Sequence, residues 1–252
     1  MKTSIIRIAG YCMLLAGLTS LLTACSKSNN GGSTATNNGQ AYVSATNASA
    51  SSATYTVYAD STNITSGGPL GFGATTGNNG SPYQAIIAGN DTIRWAANTS
   101  SSIIIDTAYN FSSGQYYSMF VYDTAIVGNG LKSVILKDNL TAPATGLAEI
   151  RFIAFSPNAA LSGGWLLNGT DTIALKNTSY AGSTVYNTDT LSAFTGIKPG
   201  TYNIVLSNAD NLNLLTNDSI TIVAGKIYTL YSKGYTGITG SNIFNVGVIT
   251  HN

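Results

Sequence analysis

The sequence predicts an all-β protein with two tandem immunoglobulin-like β-sandwich domains, which follow a signal peptide and a flexible linker. Three observations predict this fold class. Short apolar runs are broken by Gly, Asn, Ser and Pro about every 8–12 residues, the spacing of all-β chains. No apolar run keeps a 3.6-residue period long enough to indicate a helix. The chain also repeats itself, because Gly89-Asn-Asp-Thr-Ile93 corresponds to Gly200-Thr-Tyr-Asn-Ile204, 111 positions later.

The N-terminal segment has the pattern of a bacterial lipoprotein signal. Lys2 and Arg7 precede an apolar run over residues 8–22, and the motif Leu22-Thr23-Ala24-Cys25 ends it. A charged start, an apolar stretch of about 7–15 residues and small residues before the cut are typical of a secretory signal peptide. The cysteine after Ala24 predicts removal of residues 1–24 and lipidation of Cys25.

Residues 25–40 are expected to form a lipidated, flexible tether. After the cysteine this stretch contains no apolar residue larger than Ala, so it cannot bury surface that would offset the entropy of ordering. Acyl chains contribute about 0.8 kcal/mol per buried CH₂, so several chains on Cys25 would anchor the protein stably to a membrane. Ser26 after the cysteine favours the outer membrane, and both the periplasmic face and the cell surface stay open.

Charge and cysteine content exclude several classes of function. Removal of Lys2 and Arg7 with the signal leaves nine basic and ten acidic side chains, so the sequence predicts no nucleic-acid partner. Cys12 leaves with the signal and Cys25 carries lipid, which predicts no disulfide, no cysteine-based zinc site and no cysteine nucleophile. The apolar fraction of 44% is sufficient for a packed core.

Two domains are expected, at residues 41–140 and 147–252, with a boundary in the polar run from Asp138 to Gly146. The strands expected in the first are Tyr55–Tyr58, Tyr83–Ala88, Thr92–Ala97, Ser102–Asp106, Tyr116–Tyr122 and Lys132–Lys137. Those expected in the second are Glu149–Phe155, Trp165–Leu167, Thr172–Leu175, Thr201–Leu206, Ser219–Val223, Lys226–Ser232 and Ile243–Ile249. About seven strands per domain suit an immunoglobulin-like sandwich, and a transthyretin-like or jelly-roll arrangement fits the pattern nearly as well.

Tyrosines that follow turn glycines have two interpretations. Tyr117, Tyr202 and Tyr228 each begin a strand shortly after a glycine. They could be corner residues of a sandwich, whose hydroxyl bonds to backbone, or ordinary core aromatics.

The stretch Asn47-Ala-Ser-Ala-Ser-Ser-Ala-Thr-Tyr-Thr-Val-Tyr-Ala-Asp60 resembles the opening of the bacterial domain of unknown function numbered 4397. Phe155-Ser-Pro-Asn-Ala159 with Leu167-Asn-Gly169 looks like a second occurrence, and the turns at Pro199–Tyr202 and Gly225–Tyr228 are also similar to that family. The resemblance implies a β-sandwich lipoprotein of Bacteroidetes-type bacteria, often in tandem copies. It implies no activity, because the family has no assigned catalytic residues.

Side chains suited to catalysis are few. The single histidine, His251, is the penultimate residue and is expected in a fraying tail. The single glutamate, Glu149, opens a strand beside Arg151, and nothing selects a glycosidase-type carboxylate pair from the nine aspartates. The sequence therefore predicts no catalytic, cofactor or metal site. Trp95 and Trp165 could contact a ligand, although their strand-like surroundings favour the core.

The aspartates carry a different signal, because seven of the nine are followed by Ser or Thr. This looks like the Asp-Ser/Thr-aliphatic O-glycosylation signal of Bacteroidetes, and a glycan would make a surface of low charge more soluble. The alternative is that Asp followed by a β-branched residue suits turns at strand starts. The candidate acceptors are Ser61, Thr92, Thr107, Thr124, Thr172, Thr190 and Ser219.

The sequence favours a non-enzymatic cell-envelope lipoprotein whose sandwich modules have a binding or structural role towards a protein or a glycan. Tyr, Trp and Asn side chains supply apolar faces and hydrogen bonds for such contacts. The alternative is an accessory protein or enzyme of a surface glycan-processing system. No cofactor is expected, and the membrane is contacted through the lipid anchor.

Overall fold

The computed structural model describes residues 39–51, 53–77, 80–98, 102–123, 130–183, 187–210, 213–240 and 242–252. Residues Asn37–Asn252 form one compact unit. The signal segment, Cys25, most of the tether and Thr124 lie outside the described residues. Among the residues that are described, no helix is both long and apolar enough to cross a membrane.

The described chain is nearly all β, as the sequence predicts. The first eight strands are β1 (Gln40–Asn47), β2 (Tyr55–Ala59), β3 (Thr62–Asn63), β4 (Gln84–Ile87), β5 (Gly89–Ala97), β6 (Ile103–Phe111), β7 (Tyr116–Tyr122) and β8 (Lys132–Asp138). The next eight are β9 (Ala148–Ala154), β10 (Leu161–Leu167), β11 (Thr172–Ala174), β12 (Thr195–Ile197), β13 (Gly200–Asn208), β14 (Asn213–Ile222), β15 (Ile227–Lys233) and β16 (Asn245–Thr250). One short helix, α1 (Thr188–Ser192), lies between β11 and β12.

The strands form four four-stranded sheets, two in each half of the chain. The first half has an inner sheet with the order β4-β1-β7-β8 and an outer sheet with the order β3-β2-β5-β6. The second half has an inner sheet, β12-β9-β15-β16, and an outer sheet, β11-β10-β13-β14. The pairings of the first eight strands thus recur in the same order in the second eight, including a parallel pair, β1 with β7 and β9 with β15.

Each half packs its two sheets around its own apolar core. In the first half Val57 and Trp95 of the outer sheet meet Tyr117 and Met119 of the inner sheet. The second core is built in the same way and includes Tyr202. Alternate side chains of a strand point to opposite faces, so each strand of an inner sheet has a second face still to be covered.

A third core lies between the two inner sheets and joins the halves. Phe120 and Tyr122 of β7 lie 4.8 Å and 4.7 Å, between ring centroids, from Phe155, which follows β9. The whole cluster comprises Ala48, Phe120, Tyr122, Val134, Leu136, Ile153, Phe155, Ala181, Leu191, Tyr231 and Ile249. The inner sheets are therefore buried on both faces, which explains the nearly continuous burial along β7, β9 and β15.

The hydroxyls of the three tyrosines bond to backbone, as expected of corner residues, and their rings also lie in the two cores, as expected of core aromatics. The Ser112 N–H donates to the Tyr117 hydroxyl at 2.9 Å, and the Val223 N–H donates to the Tyr228 hydroxyl at 3.1 Å. The Tyr202 hydroxyl donates to the Lys198 carbonyl at 2.9 Å. The first two bonds occupy equivalent positions in the repeated strand order, so the two halves close this turn in the same way.

An ion pair is buried where the inner sheets meet. Asp138, which the sequence places in the polar boundary run, is instead the last residue of β8, and its carboxylate Oδ1 lies 2.7 Å from Nη2 of Arg151 on β9. Both side chains are 0% exposed. Desolvation of two charges is costly, and removal of one partner leaves the other charge uncompensated.

We expect Asp138→Asn to lower the free energy of unfolding by about 3–5 kcal/mol, because it leaves the Arg151 guanidinium buried without a counter-charge. Urea denaturation of residues 37–252 measures this loss. The matched control is Asp106→Asn, which breaks a 3.6 Å pair with Arg94 whose side chains are 34% and 55% exposed. That change should cost about 1 kcal/mol or less. Similar losses of unfolding free energy in the two variants would contradict the burial of the Asp138–Arg151 ion pair.

Candidate functional site

A chain of hydrogen bonds extends from the ion pair. Asp138 Oδ2 accepts from the hydroxyls of Tyr83 and Ser118, each at 2.7 Å. On the other side, Arg151 Nε donates to Thr229 Oγ1 at 2.7 Å. Arg151 Nη2 is close to Asp138, but the contact lacks the direction of a hydrogen bond. The guanidinium also lies over a ring, with Cζ 4.5 Å from the centroid of Phe194, a cation–π contact.

His251 completes this network, so the expectation of a fraying tail is wrong. Its side chain is buried because the His251 N–H donates to the Ile227 carbonyl and extends the pairing of β16 with β15. Its ring nitrogens lie 2.7 Å from the hydroxyls of Tyr83 (Nδ1) and Thr229 (Nε2). The Tyr83 proton goes to Asp138, so Nδ1 must carry the hydrogen and Nε2 must accept from Thr229.

The protonation of His251 follows from this setting. Burial lowers the pKa of His251 to about 4; the Asp138 charge opposes this shift and the Arg151 charge adds to it. The imidazole is therefore neutral near pH 7, with both nitrogens bonded. The network contains residue types used in catalysis, but Thr229 and His251 are 0% and 3% exposed and the side chain of Asp138 is fully buried, so these side chains do not reach a substrate in the cleft. Its role is to join the halves.

A second polar contact joins the halves through other residues. Asp123 Oδ2 lies 3.2 Å from Lys132 Nζ and accepts from the Tyr180 hydroxyl at 2.5 Å. Lys132 Nζ also donates to the Gly182 carbonyl at 3.0 Å. Burial and the Asp123 carboxylate raise the pKa of Tyr180 well above its usual range. The apolar core between the inner sheets is therefore accompanied by two polar clusters that both span the halves.

A cleft of about 730 Å³ opens beside the ion pair. One wall comes from the start of β7 and the end of β8 with the segment that follows, and the other comes from α1 and the residue after it. The lining residues are Gly114, Gln115, Tyr116, Lys137, Asp138, Asn139, Leu140, Thr141, Asp189, Ser192 and Ala193. The cleft lies at the junction of the halves, and both of them contribute side chains to it.

The aromatic part of the cleft is fixed by neighbouring rings. Tyr116 stacks on Tyr42, with ring centroids 4.8 Å apart and planes 17° from parallel. Tyr83 meets Tyr116 edge to face at 4.9 Å, and Tyr83 also donates to Asp138. Tyr116 is half-buried, so part of it faces the cleft while the rest is held by the network.

The charged part of the cleft has both signs. Lys137 of the first half and Asp189 of the second are exposed, and neither forms an ion pair within the described part of the chain. Asn139 Oδ1 accepts from the N–H and hydroxyl of Thr141, which leaves the Asn139 amide nitrogen without a partner in that same part of the chain. The cleft therefore offers one aromatic ring and several hydrogen-bonding groups, and its lining is more polar than that of most small-molecule pockets.

One carboxylate pair does come together, on the first outer sheet. Asp60 and Asp91 are within hydrogen-bonding reach when one is protonated, and burial together with Asp60 raises the pKa of Asp91 to about 6. Glycosidases hold their two carboxyl groups about 5–9.5 Å apart, which a hydrogen-bonded pair does not match. The described residues also contain no group of three or more His, Cys, Asp or Glu placed to hold a metal ion.

The sequence-predicted sites are scattered. Ser61, Thr172, Thr190 and Ser219 are exposed, Thr92 and Thr107 are half-buried, and Thr124 and Cys25 lie outside the described residues. Trp95 belongs to the first core, as favoured, whereas Trp165 is half-buried on the second outer sheet. Sequence reasoning missed the cleft and the network. The available signal was Arg151, the one charge in the otherwise apolar run from Ile150 to Ala154 of β9.

We expect His251 to make folding stability fall as the solution becomes acidic. The pKa of His251 is about 6.5 in the unfolded chain and about 4 in the folded protein. Above pH 6.5 the histidine is neutral in both states, so protonation takes nothing from the free energy of unfolding there. The free energy of unfolding decreases as the pH falls from 6.5 towards 4, by about 2 kcal/mol at pH 5.0. Urea denaturation at pH 7.5 and 5.0 measures it.

The matched variant is His251→Gln, which destabilises the protein at both pH values but removes the titration. Other groups, such as Asp91 with its raised pKa, titrate in both proteins and cancel in the comparison. The free energy of unfolding of the wild type should therefore fall by about 2 kcal/mol more than that of the variant between pH 7.5 and 5.0. An equal fall in the two proteins would show that folding does not lower the pKa of His251.

Comparisons with known proteins give a match to a family and weak matches to solved structures, among them the following two. A carbohydrate-binding module of family 26 from Eubacterium rectale Amy13K, solved with maltoheptaose, is 9% identical over 83% of this chain and 96% of its own, with a TM-score of 0.23. A leucine-rich repeat protein from Bacteroides thetaiotaomicron is 13% identical over 80% of this chain, which spans 26% of that protein, with a TM-score of 0.20. TM-scores this low do not show that either protein shares the fold or the function of this chain.

No curated protein matches the chain. Residues 41–161, just under half of the chain, match the domain of unknown function DUF4397. The match includes the Asn47–Asp60 stretch on which the resemblance rests, and it extends across the first half into the second. The match therefore supports the assignment of residues 41–161 to the family DUF4397.

Proposed function

We propose that the protein is a non-enzymatic, lipid-anchored protein of the cell envelope, built from two copies of one β-sandwich module, that contacts another protein or a glycan through the junction cleft. The observation that carries the proposal is the cleft itself. It is formed jointly by the two halves, is lined by polar side chains and one aromatic ring, and adjoins a network that fixes its geometry.

Tandem duplication is supported by the repeated strand order and by the equivalent bonds of Tyr117 and Tyr228. An immunoglobulin-like sandwich is supported by the two facing sheets of each half and by the corner tyrosines. The parallel pairs, β1 with β7 and β9 with β15, depart from the wholly antiparallel sheets of that fold. The proposal is therefore an immunoglobulin-like module with one parallel pair in each inner sheet.

The envelope location rests on the lipoprotein pattern that ends at Cys25. In the sequence, 14 residues separate that cysteine from β1, which starts at Gln40. Gly- and Ser-rich linkers of this length have a root-mean-square span of about 20 Å, so we propose a tether that holds the folded part clear of a lipid surface. We propose the outer membrane, with the periplasmic face and the cell surface as alternatives, and O-glycosylation at the exposed acceptors Ser61, Thr172, Thr190 and Ser219.

The second candidate is an accessory protein or enzyme that processes surface glycans. The observation in its favour is the Asp60–Asp91 pair, in which the raised pKa of Asp91 resembles that of a catalytic acid. The separation does not suit a glycosidase, and Asp60 already accepts from the Thr92 N–H at 2.9 Å. Loss of glycan turnover on Asp91→Asn would favour this candidate.

Cell fractionation tests the anchoring, with intact-mass measurement of the purified native protein. The native protein should occur in the outer-membrane fraction with a mass that includes acyl chains on Cys25, whereas Cys25→Ala should leave that fraction. Additional mass that disappears with the exposed acceptors would support glycosylation. The contact is tested on immobilised glycans and envelope proteins with residues 37–252. A soluble native protein, or no contact with either class, would contradict the proposal.

A further inference from the structure

We propose that the ligand of the junction cleft is a neutral oligosaccharide, with one sugar ring against Tyr116 and hydroxyls bonded by Lys137 and Asp189. This inference rests on the proposed function, because it names the class of ligand for the same cleft. The side chains that carry it come from both halves of the chain, so the site exists only when the halves are packed together.

The aromatic ring supplies the first requirement of sugar binding. A pyranose ring has an apolar face of C–H groups that packs on an aromatic side chain, and Tyr combines such a face with a polar hydroxyl. Tyr116 is half-buried and held by Tyr42 on one side and Tyr83 on another, so its ring does not need to be ordered when a ligand arrives. A ring that is already fixed binds at a lower entropy cost.

The two charges supply the second requirement. A sugar hydroxyl both donates and accepts, so it can donate to the Asp189 carboxylate and accept from the Lys137 ammonium. The opposite charges balance, which disfavours a strongly anionic or cationic ligand compared with a neutral one. The amide nitrogen of Asn139 and the hydroxyl of Ser192 add further groups of the kind that sugar hydroxyls bond.

The floor of the cleft is rigid because it is part of the ion-pair network. Asp138 lines the cleft and is paired with Arg151, and Tyr83 bonds to Asp138 while packing on Tyr116. The volume of about 730 Å³ lies within the range of small-molecule sites. The cleft therefore offers a preorganised aromatic face with hydrogen-bonding groups of both kinds around it.

Calorimetric titration of residues 37–252, produced without O-glycosylation, tests the inference. The probes are neutral hexasaccharides of glucose, mannose, xylose and N-acetylglucosamine, a hexauronic acid, and a neutral Asn- and Ser-rich hexapeptide. At least one neutral hexasaccharide should bind, and the hexauronic acid and the peptide should bind at least about tenfold more weakly. Asp189→Ala, Lys137→Ala and Tyr116→Ala should each raise Kd about tenfold or more, since each removes a charged hydrogen bond or the stacking face.

Matched controls separate the cleft from the rest of the surface. Lys176→Ala and Asp210→Ala remove exposed charges of the same types elsewhere and should leave Kd within about twofold. Tyr116→Phe retains the ring and should retain most of the affinity. Lys137 and Asp189 are exposed, so their variants report on the cleft even if Tyr116→Ala disturbs the packing of Tyr42 and Tyr83.

The outcomes that overturn the inference are distinct from failure of the proposed function. Sugar binding that survives the cleft variants but is lost in Trp165→Ala would move the site to the second outer sheet. Binding of the peptide or of an envelope protein alone would overturn the oligosaccharide and leave the proposed contact function intact. Binding to no glycan and to no envelope protein would overturn both.

Discussion

The ion pair between Arg151 and Asp138 is the interaction on which the rest of the structure depends. Both charges are removed from water, so neither half can bury its own member without the other half. The 2.7 Å contact between the two charges joins β8 of one inner sheet to β9 of the other. Thr229, His251 and Tyr83 extend that constraint, because each accepts or donates a defined hydrogen.

The same constraint holds together the junction at which the cleft beside Tyr116 forms. The third core supplies the apolar burial that drives the inner sheets together, as Phe120 and Phe155 illustrate. We expect the buried ion pair to restrict shifts between the sheets more than apolar contacts alone would, because separating the charges leaves each of them uncompensated. The halves therefore form one unit, and the cleft beside Tyr116 is a property of that unit and of neither half alone.

The sequence predicted most of the strands, because period-2 patterns and turn glycines are local signals. It missed β1, because Ser44, Thr46 and Asn47 are polar yet buried. Polar residues at buried positions interrupt the apolar pattern from which a strand is predicted. It missed α1, which has only five residues. It also misplaced His251, because burial of a terminal segment depends on pairing with β15. The cleft could not be predicted, since its walls come from segments far apart in the chain.

Coupling of the two halves is tested most directly by their tryptophans, because Trp95 lies in the first half and Trp165 in the second. Trp165→Phe leaves a probe of the first half and Trp95→Phe leaves a probe of the second. Urea unfolding of each variant of residues 37–252 is followed by fluorescence and by far-ultraviolet circular dichroism. The ion pair predicts one cooperative transition, with coincident curves in each variant. If the urea midpoint measured by fluorescence differs from the midpoint measured by circular dichroism, the halves unfold independently. That result would contradict the coupling of the halves through the ion pair.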